Sequence, residues 1–301
     1  MEPQRTMKPL ARSAAALLFA ILAFLGSTPA LAVSYLWEVS SLTNRVYLFG
    51  TVHAGKASWY PLPAAVEDAF EASRFLVVEA DVTDEKAMAK SQAATLYTPP
   101  ASLKTHIPEA DYERFRNLLP RYSIPEDSVV KVKAFMASTL LVFSEWARLG
   151  YTPNYGVDLY LLTRAKNENK PIVELEGVEQ QVRLMDSLSN QETLDLFRGT
   201  LDALESGLTD EQVNGLVTAW QAGEPNGVLE VARRYNEKIA GAAAFEERFI
   251  WSRHPAMMDK ITGYLDHTRE RYFIAVGALH LAGPRGLVEL LRKKGYIVKQ
   301  L

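Results

Sequence analysis

One local pattern occurs near both ends of the chain: a short apolar run, then a glycine, then a histidine three residues after the glycine. One copy occupies residues 46–53 and ends at His53, and the other occupies residues 273–280 and ends at His280. Apolar runs rich in β-branched and aromatic residues predict buried strands, and a glycine permits a tight turn after a strand. The chain has only five histidines, so we interpret the repeat as two histidines that folding brings together at the rim of a sheet.

Each copy belongs to a predicted strand–helix–strand unit. Near the N terminus, residues 35–39 and 45–49 predict a hairpin, and a helix then leads to a strand at residues 75–79. Near the C terminus, a helix connects strands predicted at residues 272–276 and 296–298. The two strands of such a βαβ unit are parallel and joined by a right-handed crossover. Ligands bind at the carboxyl ends of strands in open α/β sheets, which is where both Gly-x-x-His turns lie.

A mainly helical region is predicted between the two units, over about residues 100–250. Residues 126–149 carry apolar side chains at helical spacing and predict one long helix. Residues 189–192 and 209–212 both match the capping box that opens a helix, and a strand is predicted at residues 171–176. The sequence therefore predicts an α/β (α+β) fold: a mixed, partly parallel sheet built from N- and C-terminal βαβ units flanked by helices, with a large helical insertion in the middle. The second βαβ helix is expected to begin at Gly283-Pro284.

The first 32 residues have the pattern of a secretory signal peptide. Three basic residues precede an apolar run at residues 14–25, and Ala30-Leu31-Ala32 offers a cleavage site. The apolar run is shorter than the roughly 20 residues that a helix needs to span a bilayer. We predict export to the periplasm or the medium with cleavage after Ala32 and no remaining membrane span, an uncleaved anchor being the alternative. Residues 33–301 are then expected to form a single domain.

Composition excludes several function classes. Hydrophobic residues make up 48% of the chain and charged residues 23%, which is typical of a soluble globular protein. Removal of residues 1–32 takes the formal net charge from −3 to −5, so no nucleic-acid partner is predicted. The chain has no cysteine, so any metal must be held by His, Asp or Glu. The motifs HExxH, GxSxG and Walker A, and a GxGxxG after a strand, are also absent.

Glu79 is the third candidate site residue. It ends the strand at residues 75–79 and would emerge beside His53 if the two strands are parallel. Two imidazoles and one carboxylate can hold a catalytic divalent ion with a position open for water, and zinc, manganese or cobalt would suit such a ligand set. Histidines satisfied by backbone hydrogen bonds, and a glutamate that caps a helix or forms a surface salt bridge, are the alternatives.

Four further residues are expected to support this site. Gly50 and Gly277 shape its two turns, and Glu176 ends the predicted middle strand as Glu79 ends its own. Arg253 precedes an apolar helical run, and an arginine there can orient a carboxylate or stabilise an oxyanion. A solvated or capping role for Glu176 and an ordinary surface pair for Arg253 are the more common alternatives.

Taken together, these motifs resemble those of the TraB/GumN family. The resemblance covers the chain from about residue 36 to the end and rests on these features: the GTVH and GALH turns, the strand ending in Glu79, Tyr155-Gly156-Val157-Asp158, Leu175-Glu176 with Gln180, and the closing VGALHLAGPRGLVELLRKKGY. The family is similar to the Tiki proteins, regarded as metal-dependent proteases, and more distantly to erythromycin esterases and haem-binding ChaN lipoproteins. Where the family usually has Arg-Asn, this chain has Arg253-His254, which either changes a polar contact or adds a third imidazole.

The resemblance implies an exported metal-dependent hydrolase, most simply a peptidase acting on a peptide or protein. His53, Glu79 and His280 would hold the divalent ion (Zn, Mn or Co) and its activated water, and Arg253 would act with them in catalysis by steadying negative charge. One alternative is a non-catalytic protein that binds a peptide or haem in the same cleft. A second is a metal-independent esterase in which a histidine assisted by Glu79 is the general base. No oligomeric state is predicted.

Overall fold

The computed structural model describes residues 34–301. The predicted signal peptide and its cleavage site lie outside the described residues. Among the helices that are described, none is long and apolar enough to cross a membrane.

The strands form one six-stranded mixed sheet. They are β1 (Leu36–Ser40), β2 (Arg45–Thr51), β3 (Phe75–Val78), β4 (Ile172–Glu174), β5 (Tyr272–Gly277) and β6 (Ile297–Gln300). Their order across the sheet is β4-β3-β5-β2-β1-β6. The first four in this order are parallel neighbours, whereas β1 is antiparallel to both β2 and β6. The structure therefore confirms the predicted α/β class and the N-terminal hairpin.

Strand β5 lies between β2 and β3, so both ends of the chain contribute to the centre of the sheet. Thr51 pairs with Gly277, and Val78 pairs with Ala275. The carboxyl ends of β2, β5 and β3 therefore lie side by side at one edge. The strands of each βαβ unit are not neighbours, because β5 separates β2 from β3 while β2 and β1 separate β5 from β6.

Helices flank the sheet and fill the sequence between β3 and β5. In chain order they are α1 (Ala64–Glu71), α2 (Glu85–Ala94), α3 (Leu103–His106), α4 (Glu109–Leu118), α5 (Glu126–Val129), α6 (Ala134–Arg148), α7 (Val157–Asn167), α8 (Val178–Asp186), α9 (Asn190–Glu205), α10 (Leu208–Gln221), α11 (Pro225–Asn236), α12 (Ala242–Phe249), α13 (His254–His267) and α14 (Leu287–Lys293). Short 3-10 turns at Trp251–Arg253 and Ala278–Leu281 carry two of the candidate site residues.

The single long helix predicted at residues 126–149 is wrong. The structure has α5 and α6 with a non-helical segment, residues 130–133, between them. Val132 forms an antiparallel bridge with Leu96, and the N–H of Lys133 donates to the carbonyl oxygen of Thr95 at 2.9 Å. The backbone of this segment is therefore hydrogen-bonded to a distant part of the chain, which the apolar periodicity of the sequence does not reveal.

Of the two predicted capping boxes, one is confirmed. The hydroxyl of Ser189 accepts from the N–H of Glu192 at 3.2 Å, and the carboxylate of Glu192 accepts from the N–H of Ser189 at 2.8 Å. The box predicted at Thr209 is wrong, because the N-cap of α10 lies two residues earlier, at Gly207 with φ of 76°, and Thr209 is already inside the helix. The helix predicted from Gly283 begins later than expected, at Leu287.

The main core packs helices against the central strands. Leu48, Leu76, Phe273 and Ile274 are fully buried in the sheet, as expected for parallel strands covered on both faces. Met257, with Met258 and Ile261 on the same side of α13, is buried against them, which confirms the apolar face predicted for that helix. The core therefore fixes the positions of β2, β3, β5 and α13, which together carry the candidate site.

Candidate active site

The three principal candidate side chains meet around Gly277, the last residue of β5. A Cβ atom built on this glycine would lie 3.4 Å from Oε1 of Glu79, 3.6 Å from Cδ2 of His280 and 3.9 Å from Nε2 of His53. The N–H of Gly277 donates to Oε1 of Glu79 at 2.7 Å. The structure thus brings together the residues at the ends of β2, β3 and β5, and a side chain at position 277 would enter the space that they share.

Gly50 supports the same edge from β2. A Cβ atom at this position would overlap the ring of Tyr35, whose hydroxyl donates to the carbonyl oxygen of Ala278 at 3.2 Å. The carbonyl oxygen of Gly50 accepts from the indole N–H of Trp220 at 2.7 Å. Gly50 therefore allows buried aromatic side chains to pack directly beneath the turns that carry His53 and His280.

The imidazole of His53 is oriented by Asp158. Nδ1 of His53 lies 2.8 Å from Oδ2 of Asp158, and Oδ1 of the same carboxylate accepts from the hydroxyl of Thr51 at 2.5 Å. Asp158 lies in the first turn of α7, which is joined to the end of β2 by a hydrogen bond from the N–H of Val157 to the carbonyl oxygen of Val52. With Nδ1 bonded to Asp158, Nε2 of His53 is the ring nitrogen left for the site. The Asp158 carboxylate raises the pKa of His53 to about 9.

Replacing Asp158 by asparagine is therefore expected to bring the pKa of His53 back toward the ordinary value of about 6.5. The imidazolium form gains its stabilisation from the negative charge, which asparagine lacks. The measurement is an NMR titration of the histidine ring resonances in chelator-treated protein. Asp84→Asn is the control, since Asp84 caps α2 and not His53. A pKa that stays near 9 in Asp158→Asn would show that another group sets it.

Arg253 lies among three site residues. Its Nη2 donates to Oε2 of Glu79 and, at 2.6 Å, to Oε2 of Glu176. Its Nε donates to Oε1 of Glu176 at 2.9 Å, and its Nη1 donates to Nε2 of His280 at 3.0 Å. The side chain of Glu176 is 1% exposed and that of Arg253 is 11% exposed. The alternatives of a solvated Glu176 and a surface pair for Arg253 are therefore wrong.

The Glu79 carboxylate is buried but ionised. Burial by itself raises the pKa of Glu79, but the imidazole of His280, the guanidinium of Arg253, the imidazole of His53 and the N–H of Gly277 lower it to about 2. Gln181 adds a long hydrogen bond of 3.5 Å from its amide to Oε2 of Glu79. Glu79 is consequently a negative charge fixed at the centre of the site.

His280 and His254 form a buried pair behind Glu79. Nδ1 of His280 lies 3.0 Å from Nε2 of His254, and Nδ1 of His254 lies 2.7 Å from the carbonyl oxygen of Arg285. The two residues are 2% and 3% exposed. Burial, reinforced by the charge of Arg253, lowers the pKa of His280 to about 3 and that of His254 to about 4. Both imidazoles are therefore neutral at neutral pH, and His254 is a third imidazole at this site, beside His280.

Comparison with known families decides the relationship of this chain. A family model described as TraB/PrgY/gumN matches residues 35–300. The chain belongs to the TraB/PrgY/gumN family. No solved structure was found to match it.

One relative of this TraB/PrgY/gumN protein is YbaP, an uncharacterised protein of Escherichia coli (strain K12). It is 25% identical over 86% of this chain and 93% of its own length. A metalloprotease TIKI homolog of Amphimedon queenslandica is 24% identical over 89% of this chain, and metalloprotease TIKI1 of Danio rerio is 22% identical over 88%. This chain spans 61% and 63% of the lengths of those two proteins. Relatives of this TraB/PrgY/gumN protein are thus named metalloproteases.

The donor types of the site suit a divalent ion. A carboxylate on the far nitrogen of an imidazole is the usual support for a metal-binding histidine, and Asp158 gives His53 that support. Nε2 of His280 and Oε2 of Glu79 are 3.6 Å apart, close to the roughly 3.4 Å between two ligands of one tetrahedral ion. However, Arg253 already donates to both atoms. Within residues 34–301, no three His, Asp or Glu side chains form a ready-made shell for an ion, so an ion would have to replace those two contacts of Arg253.

Sequence reasoning missed Asp158 and Gln181 as site residues. Asp158 belongs to the Tyr155-Gly156-Val157-Asp158 motif, two residues after Gly156, the N-cap of α7, and that motif was the available signal. Gly156 packs against the backbone of His53 so closely that a Cβ atom would lie 2.5 Å from the carbonyl oxygen. His106, by contrast, lies outside the site, where its ring bonds to the carbonyl oxygen of Ser102 and stacks on Tyr97.

Proposed function

We propose that this chain is an exported metal-dependent hydrolase of the peptidase type. His53, Glu79 and His280 would hold the divalent ion, and their nitrogen and oxygen ligands suit zinc, manganese or cobalt. The observation that carries the proposal is the convergence of these three side chains around Gly277, with Asp158 on the far nitrogen of His53. An ion bound there would supply a water of lowered pKa and polarise the carbonyl group of the substrate.

Three further residues of the chain, Asp158, Glu176 and Arg253, would orient the groups of this site. Asp158 fixes the ring of His53 so that Nε2 is presented to the site. The carboxylate of Glu176 accepts hydrogen bonds from Nε and Nη2 of Arg253, and the carbonyl oxygen of Phe249 accepts from Nη1 at 2.8 Å. These contacts anchor the guanidinium independently of Glu79 and His280, so Arg253 stays beside the site when an ion takes over those two groups. A guanidinium held there is suited to stabilise negative charge that develops on a carbonyl oxygen.

The comparisons support this class of activity without defining the substrate. Relatives named metalloproteases align with most of this chain, which in turn covers less than two thirds of their length. A peptide or protein substrate is therefore part of the proposal. Export is supported by the basic, apolar and small-residue pattern of residues 1–32.

Metal content is the direct test. We expect purified protein to bind a divalent ion, and His53→Ala and His280→Ala to bind substantially less, because each removes one ligand. Cleavage of denatured proteins should be lost with a chelator, return on adding manganese, cobalt or zinc, and fall by more than about 100-fold in either variant. His106→Ala, which changes an exposed histidine outside the site, is the matched control. Equal metal content in all four proteins would refute the shared ion.

The pair formed by His53 and Asp158 also favours a second candidate function. A histidine with a carboxylate on Nδ1 is arranged as a general base once Nε2 has lost its proton, so hydrolysis of esters without a metal would use the same residues at a pH near or above the His53 pKa of about 9. Activity that resists chelation and is lost in His53→Ala would support this candidate. A haem absorbance band after reconstitution, without any hydrolysis, would instead support the non-catalytic binding protein.

A further inference from the structure

The hydrogen bonds of the buried histidine pair have only one consistent direction. At one end, the guanidinium of Arg253 can only donate, so Nε2 of His280, 3.0 Å from Nη1, must accept. At the other end, the carbonyl oxygen of Arg285 can only accept, so Nδ1 of His254, 2.7 Å away, must donate. A neutral imidazole carries one proton, so Nε2 of His254 is an acceptor and Nδ1 of His280 is its donor across the 3.0 Å contact.

Both ends of this chain of hydrogen bonds thus require the same protonation. No two donors and no two acceptors face each other between Arg253 and Arg285. The contact between the two rings is buried, with His280 2% and His254 3% exposed, so bulk solvent does not supply an alternative partner for either nitrogen. The edge of His254 is fixed further by Trp251, whose ring lies 5.3 Å from it at an interplanar angle of 85°.

We propose that His254 is a positioning residue that holds His280 as the Nδ1–H tautomer, with the lone pair of Nε2 directed at the guanidinium of Arg253. Because the backbone carbonyl of Arg285 accepts from Nδ1 of His254, Nε2 of His254 carries no proton. Nε2 of His254 must therefore accept from Nδ1 of His280, which fixes the tautomer of His280. The functional consequence rests on the proposed function: a histidine whose far nitrogen donates to a fixed acceptor is a better oriented and more basic ligand. In this chain the acceptor is the imidazole of His254, whose own proton is donated to the backbone carbonyl oxygen of Arg285.

The tautomer can be observed directly in chelator-treated protein. We expect 15N NMR to show a proton on Nδ1 of His280 and none on Nε2, and to detect coupling across the N–H···N hydrogen bond to Nε2 of His254. The coupling should vanish in His254→Met, which fills a similar space and has no nitrogen acceptor. In His254→Gln, the amide oxygen lies near the position of Nε2 of His254 and can accept in its place. The proton on Nδ1 of His280 should therefore exchange slowly with solvent, as in the parent. A proton on Nε2 of His280 in the parent, or the absence of coupling there, overturns the proposal.

A second readout separates this proposal from the proposed function. Titration with manganese or zinc alone is expected to show affinity about 10- to 100-fold weaker in His254→Met than in the parent, and affinity within a few-fold of the parent in His254→Gln. Equal affinity in His254→Met and the parent overturns the functional consequence. If none of the proteins binds the ion, the shared metal site fails, and the tautomer is still decided by the NMR result.

Discussion

Arg253→Met is expected to lower the free energy of unfolding at neutral pH by about 3–5 kcal/mol, the usual cost of removing one partner from a buried ion pair. Glu79 and Glu176 are 12% and 1% exposed, and both accept from the guanidinium. Without Arg253, two carboxylates would be close together in a poorly solvated place, and Nε2 of His280 would lose its donor. The measurement is urea-induced unfolding followed by circular dichroism, since methionine has nearly the same length and leaves little space unfilled.

Two further variants test the origin of this loss. Arg292→Met breaks a pair with Glu289 whose side chains are 43% and 38% exposed, so it should change stability by no more than about 1 kcal/mol. Adding Glu176→Gln to Arg253→Met should recover part of the loss, because one of the two unpaired charges is removed. If the double variant is as unstable as the sum of its single changes predicts, the two residues do not act as a pair.

The sequence was sufficient to predict the centre of the site because strand chemistry is local. A glycine after an apolar run marks where a strand stops, and parallel strands stop at the same edge, so His53, His280 and Glu79 could be placed together before any contact was known. The strand register agrees with this reasoning, since Thr51 pairs with Gly277 and Val78 pairs with Ala275 at the same edge of the sheet. Hydrophobic alternation also predicted the hairpin of β1 and β2.

The supporting residues were harder to predict because their roles depend on which elements pack together. Asp158 is separated from His53 by 105 positions, and Glu176 from Arg253 by 77. An acidic residue in the first turn of a helix has an ordinary local explanation in the helix dipole, so the motif that contains Asp158 does not by itself assign this residue to the site. The helix predicted at residues 126–149 is interrupted before α6 for the same reason, because Val132 pairs with Leu96, a residue far away in the sequence.

The buried imidazoles should make the protein sensitive to acid in a defined pH window. In an unfolded chain a histidine has a pKa of about 6.5, whereas burial lowers the pKa of folded His254 to about 4. Above pH 6.5 the residue is neutral in both states and has no effect. Between pH 6.5 and 4 only the unfolded chain takes up the proton, so the free energy of unfolding falls as the pH falls, by about 3 kcal/mol at the acid end.

The contribution of His254 can be isolated by comparing the parent with His254→Gln across pH 4–7. His280 and every carboxylate are present in both proteins, and the pKa of folded His280 lies below this pH range, so the difference between the two stability curves reports chiefly His254. We expect the variant to gain on the parent by about 3 kcal/mol as the pH falls from 7 to 4. Parallel curves for His254→Gln and the parent would mean that His254 takes up its proton over the same pH range in the folded and unfolded chains, which would contradict a pKa lowered by burial.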